Sequence, residues 1–162
     1  TVLLNNLAAI DILGGKASAS VINKLSDAVL MDNNPYEILI IKCNWLVALI
    51  LQGYIDQAAS LALDIEKSNY ENFQYEDFLH IVYQDLYYYY DTVHNSERAT
   101  FYCKKLEDLA GRKGISEWTR TLINLMLSKK KVQENFYSQF PYRDDFLGFW
   151  GVSISRDLEN YQ

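Results

Sequence analysis

Trp45-Leu46-Val47-Ala48-Leu49-Ile50-Leu51-Gln52-Gly53-Tyr54-Ile55-Asp56-Gln57-Ala58-Ala59-Ser60-Leu61-Ala62-Leu63-Asp64-Ile65 is the stretch whose reading decides the fold. Its first half closes a run from Pro35 to about Gln52 that is apolar nearly throughout, which predicts a helix enclosed by neighbours on several sides. Its second half, read as a helix from about Ile55 to Ser68, supplies Ala58, Ala59, Leu61, Ala62 and Ile65 as small and medium side chains for close helix approach. Gly53 permits the tight turn between them. Two helices folded back on each other are the result.

The same rhythm extends in both directions. A first helix is predicted over Val2 to Leu13, with Leu3, Leu7, Ile10 and Leu13 available for an apolar stripe, and Gly14-Gly15 stops it. A second, about Ser18 to Met31, carries Val21, Ile22, Leu25, Ala28 and Val29 on one side. Asp32-Asn33-Asn34-Pro35 then breaks the chain and restarts it, since Asn and Asp favour caps and Pro35 fits a first helical turn. Beyond the deciding stretch, Asn69 to Tyr75 reads as a connector to a helix over about Glu76 to Thr92. His94-Asn95-Ser96-Glu97 forms the next turn, with Asn95 or Ser96 capping a helix that contains Ala99, Cys103, Leu106 and Ala110. Ser116 caps a last helix with Trp118, Leu122, Ile123, Leu125 and Met126. Past Lys131 the pattern becomes irregular, and Phe136, Phe140, Phe146, Phe149 and Trp150 suggest an aromatic cap over the open end of a stack, with an aromatic ligand pocket as the alternative.

The recurrence resembles tetratricopeptide-type repeats, whose second helix carries spaced small and apolar residues. The corresponding triples are Val21, Leu25 and Ala28; Ala58, Ala62 and Ile65; and Ala99, Cys103 and Leu106, and the turn Gly53 to Ala58 is similar to the hairpin of that family. The spacings from Val21 to Ala58 and from Ala58 to Ala99, 37 and 41 residues, exceed the usual repeat of about 34. The likeness covers about residues 1 to 111. It implies an all-α fold of antiparallel helical hairpins stacked as a short right-handed α-solenoid, in approximate units 1–34, 35–74, 75–114 and 115–162. It also implies a concave surface lined by the first helix of each pair: Ile40, Cys43, Val47 and Ile50 in the second unit, and Gln84, Tyr88 and Asp91 in the third. The carboxylate clamp of that family uses Asn, Lys and Arg at such places, which these residues do not reproduce.

Composition agrees with one helical domain. The 162 residues are 49% hydrophobic, enough for a sizeable core, and two prolines and seven glycines seldom interrupt helices. Thirteen tyrosines can fill an interior, but each hydroxyl needs a partner or water. The longest apolar run, Ile38 to Leu51, is broken by Lys42 and Asn44 and is too short to cross a bilayer, so membrane insertion is not expected. A chain beginning at Thr1 is expected to be a fragment or a processed product. Cys43 and Cys103 lack a paired motif and are expected to be free thiols, which with the missing export signal suggests a cytoplasmic location.

Charge falls in blocks. Asp56, Asp64, Glu66, Glu71, Glu76, Asp77, Asp85, Asp91 and Glu97 face a single base, Lys67, whereas Arg98, Lys104, Lys105, Arg112, Lys113, Arg120 and Lys129 to Lys131 dominate the next segment. Such blocks can steer an oppositely charged partner, or the two halves merely offset each other. Lys129-Lys130-Lys131 can contact phosphate or complement a helix C-terminus, and a net charge of −6 with a pI near 4.9 weighs against nucleic acid. No catalytic motif is evident: His80 and His94 have no metal-binding companions, His80 with Asp77 is a coincidence of helical spacing, and Gly14-Gly15-Lys16-Ala17-Ser18 lacks the leading glycine and the strand of a phosphate loop. No cofactor, metal or catalytic residue is assigned. The leading expectation is a non-enzymatic module of a larger protein that binds a protein or peptide, with Tyr88 as a rigid anchor and Gln84 and Asp91 selecting polar groups. A regulatory or sensor segment and an enzyme with an unrecognised small-molecule site are the alternatives.

Overall fold

The computed structural model describes residues 1–72 and 76–128, and among these every regular element is helical. The α-helices are α1 (Val2–Leu13), α2 (Ala19–Met31), α3 (Pro35–Leu51), α4 (Ile55–Lys67), α5 (Leu79–Thr92), α6 (Ser96–Ala110) and α7 (Glu117–Leu127). Short polar side chains start four of them by satisfying backbone N–H groups that the first turn leaves open. Ser18 accepts from Val21 at 3.4 Å, Asn34 from Tyr36 at 3.1 Å, Asn95 from Arg98 at 3.1 Å and Ser116 from Thr119 at 3.2 Å. The helix expected from Glu76 begins later. Glu76–Phe78 is a 3₁₀ turn and α5 starts at Leu79, because Phe78 at the N-cap offers no side-chain acceptor.

Each helix packs on its successor, and a second set of contacts joins α1 to α3 and α3 to α5. α3 is therefore touched by α1, α2, α4 and α5. Burial follows: Leu39, Ile40, Ile41, Cys43, Asn44 and the whole run Leu46 to Ile50 are buried, on every side of the helix. The amide of Asn44 escapes desolvation without a partner by donating to Asn5 Oδ1 on α1 at 2.9 Å, while Lys42 at the rim reaches Asp64 of α4 at 2.5 Å. Alanines sit where helices approach most closely: Ala8, Ala9, Ala28, Ala48, Ala58 and Ala62 are all buried. Apolar though α3 is, no helix among the described residues is long and apolar enough to cross a membrane.

The first helix turns a different face inward from the one its leucines suggest. Leu3, Leu7 and Ile10 are 69%, 42% and 49% exposed, and the buried face is Asn5, Ala8, Ala9 and Ile12. With apolar residues on all sides and only Asn5, Asn6 and Asp11 polar, α1 has no single face that hydrophobicity alone selects. The Asn5–Asn44 hydrogen bond and the close approach that Ala8 and Ala9 allow fix its rotation.

α1, α3 and α5 end in the same way. In each the residue two beyond the last helical one has positive φ, Gly15 at 72°, Gly53 at 74° and His94 at 57°. The N–H that follows reaches back across the turn: Lys16 to Asp11, Tyr54 to Leu49 and Asn95 to Tyr90, at 2.8, 2.9 and 2.9 Å. These are Schellman caps, which satisfy the last carbonyls and send the chain back along the helix it has left. Gly14 to Ser18 is thus a helix-terminating turn, as the sequence predicts.

Two sets of substitutions test this arrangement. Ala62→Leu inserts three carbon atoms into a fully buried site and is expected to destabilise by about 1–3 kcal/mol, read from denaturant midpoints. An unchanged midpoint would place Ala62 in solvent. At the caps, a Cβ added to Gly53 meets nothing within 4 Å, so Gly53→Ala is expected to cost about 1 kcal/mol through left-handed backbone strain alone. His94→Gly relieves that strain and is expected to gain roughly 0.5–1 kcal/mol, after the extra freedom of glycine in the unfolded chain is deducted. Stability unchanged in both cap variants would mean that the caps do not hold these turns.

Candidate functional site

Polar chemistry concentrates where α4, α5 and α6 meet. Glu66, near the end of α4 with its side chain 14% exposed, accepts hydrogen bonds from the Arg98 guanidinium and, at 2.6 Å, from the Tyr102 hydroxyl, both on α6. The Arg98 guanidinium lies over three rings, 5.3 Å from the centroid of Tyr90, 5.0 Å from Phe101 and 5.5 Å from Tyr102, a placement that the negative ring faces favour. Tyr90 and Tyr102 stack at 5.9 Å with their planes 8° apart; Tyr83 continues the row to Tyr70, and Tyr89 packs edge-on against Tyr90. Five tyrosines from three segments form one aromatic ladder with an ion pair at its edge.

This ladder is structural in its chemistry. Burial and then the Glu66 carboxylate push the Tyr102 phenol far above its ordinary value, and burial pushes Tyr70 up to about 12. The hydroxyls therefore stay protonated and donate. Tyr83 donates to Glu71 at 3.1 Å, where Lys105 also binds at 2.8 Å, and the hydrogen bond from Lys105 is the main cause that holds the Glu71 carboxyl below its usual value. Arg112 reaches Glu76 at 3.1 Å.

Those contacts decide how the charge blocks are used. Arg98 and Lys105 on one side of α6, and Arg112 just past its C-cap, recur every seven residues and meet Glu66, Glu71 and Glu76 in order. The acidic and basic segments pair with each other inside the fold. Pairing was among the sequence's possibilities; the seven-residue and five-residue spacings are the signal that could have pointed to it.

The three residues expected to line a concave surface part company. Gln84 is wholly buried, so it cannot select polar groups on a partner at the surface: α5 turns this side of its middle turns into the core, as α3 does with Ile40, Cys43, Val47 and Ile50. Tyr88 is half-buried and Asp91 exposed, one turn apart near the C-terminal end of α5. Of the tyrosine run, Tyr89 and Tyr90 belong to the core and Tyr87 and Tyr88 to its edge. Cys43 and Cys103 are both unbridged. His80 is buried, and no cluster among the described residues gathers three metal-ligating side chains. Lys129 to Lys131 and the aromatic residues from Phe136 to Trp150 lie outside the described residues.

One buried acid had no forecast. Asp85 occupies an apolar position of α5, on the stripe that contains Phe78, Val82, Leu86 and Tyr89, and is completely buried. An acid at a core position of a helical stripe is legible in sequence once that stripe is drawn.

No family model, curated protein or solved structure matches this chain.

The Glu66 junction yields a quantitative expectation. Glu66→Ala deprives a guanidinium and a buried phenol of their shared acceptor and should lower stability by about 1–3 kcal/mol, and Tyr102→Phe by about 1 kcal/mol. Because both act on one carboxylate, the double variant should lose less than the sum. Strict additivity in urea denaturation would show that the two contacts are independent.

Proposed function

We propose that this chain is a protein- or peptide-binding module, a stack of helical hairpins of tetratricopeptide type with the right-handed course and C-terminal aromatic cap that such a stack implies. The observation that carries the reading is the repeated construction: α1, α3 and α5 pack in succession, and each ends in the same cap before its partner helix folds back. A scaffold made in this way presents side chains from its first helices on rigid backbone, which limits the entropy lost on binding. On α5 the residues suited to that task are Tyr88, a half-buried aromatic ring with a polar tip, and Asp91, an exposed carboxylate. Glu97 stands across the turn and adds to the negative field there, whereas the neighbouring bases Arg98 and Lys105 are engaged with Glu66 and Glu71. The favoured ligand is accordingly a peptide with an apolar or aromatic side chain beside a basic one.

Selection of a random peptide library displayed on phage against the intact chain tests the reading. Enriched peptides should carry Lys or Arg next to an apolar residue. Tyr88→Ala should mainly raise their dissociation rate, through lost buried contact, and Asp91→Lys should lower the association rate and flatten its salt dependence. Failure to enrich any sequence, or enriched peptides indifferent to both substitutions in a folded protein, would overturn it.

A further inference from the structure

Asp85 is the acid that the packing leaves unanswered. The chain satisfies its other deeply placed carboxylate, Glu66, with two donors, and links the buried amides Asn5 and Asn44 to each other. Asp85 is as buried as the leucine that follows it, and neither of its carboxylate oxygens has a hydrogen-bond partner among the described residues. α3 packs on α5, and the Cys43 thiol of α3, also fully buried, feels the charge of Asp85. No cation or further acid among the described residues of α4, α6 or the Glu76–Phe78 turn is coupled to it; burial alone acts on the carboxyl. An ionised carboxylate at such a place gives up its hydration and receives no donor in return, whereas the neutral acid gives up far less.

We propose that Asp85 is a proton-operated latch between α3 and α5, closed while the side chain carries its proton and loosened when the proton leaves. The inference concerns the packing of these two helices and stands apart from the choice of binding surface.

The direction follows from linkage. Burial raises the Asp85 pKa in the folded chain above that of the unfolded chain, which is about 3.9. The support that the neutral acid gives to folding is complete below the unfolded value and is lost as pH rises through the folded one. Between the two values the opening equilibrium grows by up to about tenfold per pH unit. Paired carboxylates such as Glu71, held low by Lys105, act in the opposite sense and lose their contribution on acidification. Cys43 is pushed well above the ordinary thiol value by burial, so it brings no second charge to the interface over the same range.

Because Cys43 is fully buried on α3, which packs on α5, its reaction with a maleimide reports opening. In the full chain carrying Cys103→Ser, labelling at about pH 8 should be at least about tenfold faster with Asp85 than with Asp85→Asn, and the ratio should shrink as the pH is lowered through about 5 towards the unfolded value. The comparison removes the intrinsic pH dependence of thiol reactivity. Equal rates at both pH values overturn the latch. If the Asn variant does not fold, carbon-13 titration of the Asp85 carboxyl in the unsubstituted chain decides: a resonance still protonated after the exposed carboxyls have ionised supports the proposal, and one that ionises with them refutes it.

Discussion

A helix buried nearly all round organises this protein. α3 buries side chains around its whole circumference, so four other helices must surround it, and their positions relative to one another follow from where each meets it. Removing that much apolar surface from water is the dominant favourable term in the fold, and it is directionless. Orientation has to come from elsewhere. It comes from small residues that let backbones approach, from caps that reverse the chain after α1, α3 and α5, and from a few polar contacts that only one arrangement completes.

Those polar contacts fall into two kinds. Asn5 with Asn44, and Glu66 with Arg98 and Tyr102, give each desolvated group an answer, and each joins elements distant in sequence. Such pairs contribute modest net stability but penalise every packing that leaves them open. Asp85 is of the other kind, a buried acid without a donor, and its cost is evaded only in the neutral form. Within one helix bundle, the same residue class therefore serves as a fastener at the α4–α6 junction and as a point of weakness between α3 and α5.

The ion pairs at α6 carry a related lesson about charge. A segment with nine acids and a single base, followed by a basic stretch, invites the expectation of a long-range field, yet Glu66, Glu71 and Glu76 are met by bases in contact. Outside those pairs, exposed charge includes Asp56, Asp91 and Glu97 in the acidic segment and Lys104 and Lys113 in the basic one. Surface pairs of this sort add little to stability singly. Three in a row, with the Arg98 guanidinium also laid over aromatic rings, define how α6 lies against the segments before α5.

The sequence by itself determined the helices, their caps and their turns: Ser18, Asn34, Asn95 and Ser116 begin helices where they were expected, and Gly53 reverses the chain between α3 and α4. These are short-range matters, settled by backbone conformations and hydrogen bonds within a few residues. The all-round burial of α3 was legible for the same reason, since a helix with no polar face has one consistent environment. Tertiary structure decided which side of α1 faces inward, that Gln84 lies in the core while Tyr88 and Asp91 reach its edge, and which acid meets which base. Those outcomes depend on the rotation and offset of helices that are remote in sequence. Periodicity within one helix names a stripe but cannot say what stands opposite it, and that is settled only when the helices pack.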